Sequence, residues 1–266
     1  MKKIKDLISL KGRRALITGA IGGIGQEIAL TIAELGGDLV LVDLPGSDYN
    51  PLKQKILENW NVDIECVSCD LESKNSRVSL IKNLTSSKNR LDILVNNAAF
   101  VGDSNLAGWI DNFNLQSIET WNRALEVNLT ASFHLSQGFV PLLMKSGNGS
   151  IINIASIYGV IAPDYSLYKD LDMGNPAAYS VSKGGLIQLT KWLSKTISPE
   201  IRVNTISPGG VWRNQPSEFV KRYESKTSIG RMATEEDFKG AIAYLATDLS
   251  IYVTGQNLIV DGGWTS

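Results

Sequence analysis

Short apolar runs alternate with helical patterns from one end of this chain to the other, and few folds satisfy that alternation. Ala15-Leu16-Ile17 is the first run, followed by a glycine-rich turn and an apolar helix over about 25–35. Further strand-like runs fall at 38–42, 62–68, 91–95, 150–155, 201–206 and 257–260. Helical periodicity covers 118–144 and 177–196, and Thr234-Glu235-Glu236-Asp237 reads as a helix N-cap with an acidic first turn. Apolar strands followed by helices imply a parallel sheet covered on both faces. With 266 residues, 43% of them hydrophobic, and no repeat or linker, one core suffices for 1–266.

Charge excludes some partners. Lysine plus arginine number 26 against 27 acidic residues, a net charge of −1. Neither nucleic acid nor an anionic membrane is called for. Met1-Lys2-Lys3 is basic, but the apolar stretch after it is too short for a signal peptide or a membrane span. A cytoplasmic location is expected. Cys66 and Cys69 share a C-x-x-C spacing but sit in a strand pattern, where residues three apart face opposite sides. With His134 the only histidine, they read as two buried strand residues, not as part of a metal site.

Thr18-Gly19-Ala20-Ile21-Gly22-Gly23-Ile24-Gly25 lies between the first strand and the first helix. Glycines let backbone approach a pyrophosphate, and the helix N-terminus offers amide donors. The fold expected is therefore a Rossmann-type α/β domain, a doubly wound parallel sheet of about seven strands with helices on both faces. Asp43 ends the second strand, 18 residues after Gly25, near the spacing of an acid that binds an adenosine ribose. A 2′-phosphate would meet like charge there, and neither Gly22 nor Leu44 is basic. NAD is favoured over NADP. The other reading of Asp43 is a turn cap.

Tyr179 and Lys183 are spaced i, i+4 on a helical pattern, which puts phenol and ammonium on one face. A free phenol has a pKa of about 10. A cation beside it favours phenolate and suits it to acid–base work. Ser156 follows the strand run Ile151-Ile152-Asn153-Ile154-Ala155.

Taken in order, these segments resemble the short-chain dehydrogenase/reductase family across essentially the whole chain. The matching positions are Thr18 to Gly25, Asp70-Leu71, Asn96-Asn97-Ala98-Ala99, Asn128, Ser156, Tyr179 with Lys183, Ser207-Pro208-Gly209 and Asp261-Gly262-Gly263. The resemblance implies a catalytic set of Asn128, Ser156, Tyr179 and Lys183. It implies a cofactor set of Gly19, Gly22, Gly23, Ile24, Gly25, Asp43, Asp70, Leu71, Asn97, Ala98, Ala99, Pro208, Gly209 and Val211, with Tyr179 and Lys183 shared. Tyr179 would exchange a proton with the substrate oxygen, Lys183 would lower the phenol pKa and hold the nicotinamide ribose, and Ser156 would donate to the substrate oxygen. Asn128 would hold a water linking Lys183 to solvent. A homotetramer is implied, with Leu189, Trp192 and Leu193 as an apolar helix stripe and Trp264 needing cover.

Several positions depart from the family. Ala99 replaces a commoner glycine. Ser156 and Tyr179 lie 23 positions apart, a longer spacing than usual, and a second lengthening follows Asn97 and carries Trp109, Asp111, Phe113 and Trp121. Both insertions, near 100–120 and 157–176, leave C-terminal strand ends and should border a substrate mouth. They could equally pack on each other. Arg213 stands where the family often has a threonine on the cofactor and joins the cofactor set as a partner for the NAD pyrophosphate, or else meets an acidic substrate; Lys221, Arg222, Lys226 and Arg231 follow it. These cations hint at an anionic substrate, although Lys221, Arg222 and Lys226 also fit a solvated helix face. The chain is expected to be an NAD-dependent oxidoreductase acting on an alcohol or ketone of a small, sugar-like or anionic molecule. The long 157–176 segment and Trp212-Arg213-Asn214-Gln215-Pro216 also resemble family members of bacterial surface-sugar and flagellin-modification pathways. A 3-oxoacyl thioester reductase is the alternative enzyme, and a non-catalytic NAD-binding regulator the alternative of another class.

Overall fold

The computed structural model describes residues 3–86, 90–102 and 105–266. Met1 and Lys2 of the N-terminal segment, and Asp103 and Ser104 of the first expected insertion, lie outside the described residues. In chain order the first half runs α1 (Ile4–Leu7), β1 (Arg14–Thr18), α2 (Gly23–Glu34), β2 (Asp38–Asp43), α3 (Asn50–Asn59), β3 (Ile64–Ser68), α4 (Lys74–Ser86) and β4 (Ile93–Asn96). The second half runs α5 (Ile118–Leu125), α6 (Ala131–Lys145), β5 (Gly149–Ile154), α7 (Ala177–Thr196), β6 (Ile201–Pro208), α8 (Ser217–Glu224), α9 (Lys239–Ala246) and β7 (Asn257–Val260).

The seven strands form one parallel sheet in the order β3-β2-β1-β4-β5-β6-β7. Alternate residues of each strand feed opposite layers, as the pleat requires. Ile17, Leu39 and Leu41 pack with Ile28 and Ile32 of α2 and Ile242 and Leu245 of α9. Leu16, Val40 and Val42 pack on the other face with Leu80 of α4 and Leu135 and Phe139 of α6. This is the expected doubly wound fold. Its winding reverses between β1 and β4, so the ligand crevice lies beyond their C-terminal ends.

Two local expectations are corrected. The helix read as continuous over 118–144 is broken by a π-helical turn, Glu126–Thr130, between α5 and α6. The Ala131 N–H bonds the Glu126 carbonyl five residues back, the extra residue of a π-bulge. The turn carries Asn128 fully inside. Cys69 is buried but lies past the end of β3, and Cys66 is exposed. β3 is an edge strand, so one of its faces has little above it. Among the described residues no helix is long and apolar enough to cross a membrane.

Candidate active site

A cleft of about 900 Å³ runs along the C-terminal strand ends, from the glycine turn to Tyr179. Every residue expected at the site lines it except Asn128. Gly19 has φ +63°, and a Cβ there would lie 2.8 Å from the Ala98 Cα. A Cβ on Gly25 would lie 2.0 Å from the Gly19 carbonyl oxygen. Only glycine permits both the left-handed turn and this packing of α2 on it. Asn97 holds the turn: its Nδ2 donates to the carbonyls of Thr18 and Gly19 at 2.9 and 3.0 Å. The backbone N–H groups of Asn97 and Ala98 donate to Thr18 Oγ1 at 3.0 and 3.1 Å. The α2 N-cap, Gly22, brings no side chain, which leaves room for a phosphate near the first-turn amides. The cradle, the bare N-cap and the cleft's length fit a dinucleotide.

Asp43 caps turns and also faces the cleft. Its Oδ2 accepts from the Ile21 N–H at 2.8 Å, and its Oδ1 from the Leu44 N–H at 2.8 Å and the Ser47 hydroxyl at 3.2 Å. Val42, Leu44, Cys69, Asp70 and Leu71 line the cleft with it, as does Arg123, which is paired with Glu72 at 2.9 Å. Asp70 accepts from the Glu72 N–H at 2.9 Å, fixing the turn after β3.

At the other end, Ser156 follows β5 and caps a short 3-10 turn, Ile157–Gly159, accepting from the Tyr158 N–H at 3.2 Å. A Cβ on Gly159 would lie 2.6 Å from the Lys183 carbonyl carbon. This close backbone approach keeps Ser156 beside α7, and the inserted residues leave and return beyond it. Their length does not separate Ser156 from Tyr179. Tyr179 and Ser156 both line the cleft, and Ser156 draws the phenol pKa down.

Lys183 is buried, and its Nζ donates to the Ile154 carbonyl at 2.8 Å and lies 5.8 Å from the centre of the Tyr179 ring. Burial brings its pKa down to about 8. Burial pushes the Tyr179 phenol up, and Ser156 and the charge of Arg213 pull it back. Lys183 aims its ammonium at the Ile154 backbone carbonyl, beneath the same ring.

Asn128 reaches the site only through others. Its Oδ1 accepts from the Phe100 N–H at 2.6 Å, and its Nδ2 donates to Ser182 Oγ at 3.0 Å and the Phe100 carbonyl at 3.3 Å. The amide ties the chain after β4 to α7.

Pro208 and Gly209 end β6, where the Gly209 N–H donates to the Val260 carbonyl at 2.9 Å. The Val211 carbonyl accepts from Gln215 Nε2 at 2.7 Å. Arg213 lines the cleft and pairs with Glu235 at 3.2 Å. Glu235 lies over the start of α2, where a Cβ on Gly23 would be 2.5 Å from its Oε1.

The other four candidate cations are committed elsewhere. Lys226 pairs with Asp164 at 2.5 Å, Arg231 with Asp237 at 2.7 Å and Lys221 with Glu218 at 3.4 Å. Arg222 donates to the Lys169 and Leu167 carbonyls at 2.6 and 3.3 Å. Most of them therefore strap the second insertion to α8 or cap local turns.

The two insertions differ. In the first, Trp109 is buried against Phe100, Trp121 and Tyr179, and its Nε1 donates to the Val101 carbonyl at 2.7 Å. Asp111 caps the Gly108 N–H at 2.6 Å, and Phe113 is exposed. None of these three enters the cleft wall. The second insertion does enter it, through Tyr158, Tyr168 and Asn175, beside Phe219, Tyr223 and Met232. These lining residues were not singled out from the sequence; the tyrosine density of 157–168 was their only signal. Trp264 is covered by its own fold, stacked on Tyr223 at 5.7 Å. Leu193 faces the core, while Trp192 is exposed beside an apolar groove formed with Leu129, Phe133 and Leu189.

Comparison with known proteins matches this architecture. A family model described as enoyl-(acyl carrier protein) reductase matches residues 19–265. The chain is 32% identical to post-translational flagellin modification protein A of Campylobacter coli, covering 96% of this chain and 99% of that one. It is 31% identical to a 3-oxoacyl-[acyl-carrier-protein] reductase of Rickettsia conorii, covering 97% and 98%. The solved structure of a short chain dehydrogenase from Leptospira borgpetersenii with bound NAD+ superposes with a TM-score of 0.84 at 32% identity, covering 100% and 97%. A seven-stranded parallel sheet, a glycine turn built for a dinucleotide and matches over nearly the full length place this chain in the short-chain dehydrogenase/reductase family of oxidoreductases, whose fold binds a nicotinamide cofactor.

Proposed function

We propose that this protein is an NAD-dependent dehydrogenase/reductase that interconverts an alcohol and a ketone on a small, polar, sugar-like or anionic substrate. One observation carries the reading: Ser156, Tyr179 and Lys183 line the same cleft as the glycine turn. The nicotinamide ring, when bound, supplies or accepts the hydride. Gly19 to Gly25, Asn97 to Ala99, Pro208, Gly209 and Val211 would hold the dinucleotide. Asp43, whose carboxylate would meet a 2′-phosphate with like charge, favours the adenosine ribose of NAD.

The chain's own residues perform the proton chemistry. Tyr179 takes the proton from the substrate hydroxyl in oxidation and returns it to the ketone oxygen in reduction. Ser156 donates to that oxygen and stabilises its developing charge. Lys183, with a pKa of about 8, is mostly protonated at pH 7 and keeps a positive charge behind the phenol. Asn128 acts as a positioning residue, fixing the Phe100 backbone against Ser182 of α7.

On the substrate side, anion recognition rests on Arg213. Arg213 is itself paired with Glu235, and the other cations of this region are paired or bound to carbonyls, which favours a neutral polyol or a singly charged sugar acid over a more highly charged phosphate. The second insertion borders the substrate mouth, while the first reaches it through Phe100 and Val101 and packs behind it at Trp109. A 3-oxoacyl thioester reductase is the second reading, favoured by the 31% identity to the 3-oxoacyl-[acyl-carrier-protein] reductase of Rickettsia conorii. Asp43 and the hydroxyl-bearing second insertion oppose it. A regulator without catalysis has no need of the Ser156, Tyr179 and Lys183 set. The exposed Trp192 groove supports a homotetramer in the cytoplasm, as in the family. NADH formation should be measured with polyols, amino sugars, sugar phosphates and sugar acids, with NADP in parallel. Strict NADP dependence would overturn the cofactor reading, and turnover of acyl thioesters alone the substrate reading.

A further inference from the structure

Tyr158, at the start of the second insertion, and Tyr168, near its middle, meet inside the cleft. Tyr158 sits two residues after Ser156. Tyr168 closes the 3-10 turn Tyr165–Tyr168. Their hydroxyl oxygens are 2.8 Å apart. Both rings line the cleft, and the charge states of both phenols are coupled to Tyr179. The rings are wedged: Tyr168 packs on Phe219 at 5.6 Å, and Tyr158 meets the face of Trp264 edge-on at 6.3 Å. The Asp164–Lys226 pair and the Arg222 bonds to Leu167 and Lys169 hold the insertion against α8. The hydroxyl pair is thus fixed relative to Tyr179.

Hydrogen-bond accounting leaves something over. Two phenols carry two O–H donors, and their mutual bond uses one. Among the described residues no other group accepts from or donates to either hydroxyl. Burial raises both phenols, Tyr168 up to about 12, so both remain protonated at working pH. One O–H therefore faces the cleft and has only its contents as acceptor.

We infer that the Tyr158–Tyr168 hydroxyl pair is a specificity site for a second substrate oxygen, selecting secondary alcohols that carry a neighbouring hydroxyl, or the matching hydroxyketones, over simple alcohols. It rests on the hydride-transfer reading and deepens it. The carbinol carbon gives up a hydride, reducing NAD+ to NADH, and its hydroxyl proton leaves through Tyr179. The second oxygen stays unchanged, held by the phenol pair. Phe219 and Met232 offer the apolar wall that the carbon face of such a molecule needs. A site built to bond a hydroxyl rejects the analogue that lacks it far more strongly than an apolar site of the same shape does.

The test compares cyclohexane-1,2-diol, as cis and trans isomers, with cyclohexanol, which differ by one oxygen. NADH formation is followed with wild type, Tyr158→Phe and Tyr168→Phe, and NAD+ affinity is measured separately by calorimetry. The expected result is a kcat/KM for the better diol above that of cyclohexanol by on the order of 10-fold or more. In the phenylalanine variants this ratio falls toward one, through the diol, with NAD+ affinity unchanged. Should Tyr158→Phe lose NAD+ binding through damage to the Ser156 turn, Tyr168→Phe carries the test. Equal rates on both alcohols in wild type, or equal losses on both in the variants, would overturn the inference. NAD+ binding with neither ring oxidised would overturn the diol assignment alone, and absence of NAD+ binding would overturn the hydride-transfer reading beneath it.

Discussion

Replacing Lys183 with methionine removes a buried ammonium while keeping most of the side-chain volume, and the pH dependence of stability should change in a defined direction. The side chain is 2% exposed and bonds the Ile154 carbonyl. Burial lowers its pKa from 10.5 to about 8. Between these values the unfolded chain holds the proton and the folded chain releases it. Stability therefore rises with pH across that window, by about 3 kcal/mol from this group. Below pH 8 the burial cost is fully present. The variant escapes that cost but loses the ammonium's hydrogen bond to the Ile154 carbonyl, worth about 1.5–3 kcal/mol, an offset set at the low-pH end where the group is charged. Urea unfolding of both proteins from pH 7 to pH 10.5, without cofactor, separates slope from offset. The difference between wild type and Lys183→Met should move toward wild type by about 3 kcal/mol across the window. A flat difference would refute the claim that Lys183 is held as a desolvated ammonium.

Three further outcomes follow from the same geometry. Gly25→Ala drives a Cβ to 2.0 Å from the Gly19 carbonyl oxygen, so the turn must shift. It should cost ~1–3 kcal/mol in NAD+ binding or stability, read by calorimetry and thermal unfolding. Asp43→Asn keeps an acceptor for the Ile21 N–H but removes the charge. The ratio of NAD+ to NADP+ affinity should fall by about 10-fold or more, and an unchanged ratio would remove Asp43 as the discriminator. Arg213→Ala removes a charge that pulls the Tyr179 phenol down. The pH–rate profile for alcohol oxidation should shift to higher pH, and a shift to lower pH or none would refute that coupling.

Much of the fold was legible because the strands of a covered parallel sheet are continuous apolar runs. Ile151 to Ala155 and Leu39 to Val42 show this directly. The helices α3, α4 and α8 were not assigned, since each buries only a narrow stripe such as Leu52 and Ile56, or Phe219 and Tyr223. The π-helical turn at Glu126–Thr130 left no mark in periodicity, because one extra residue moves the pattern less than its own scatter. Asn128 buried inside an apolar helix was its trace. The glycine turn, Ser156, Tyr179 and Lys183 could be read from order and spacing. Electrostatics could not. Asp164 and Lys226 pair across 62 positions of sequence, and Arg213 and Glu235 across 22. Such pairings, made by the folded loops, decide which cations remain free for a substrate. Tyr158 and Tyr168 were hidden for the same reason, since only the return of the insertion brings their hydroxyls together.

Tyr179→Phe tests the central claim most directly. The substitution removes one oxygen from a ring wedged in the Trp109 and Ala178 cluster. NAD+ affinity by calorimetry should stay within about twofold, while turnover of the best alcohol in the substrate panel falls by about 10²–10⁴-fold, the range of a lost acid–base group. Near-normal turnover with intact NAD+ binding would contradict the assignment of Tyr179 as the group that moves the proton.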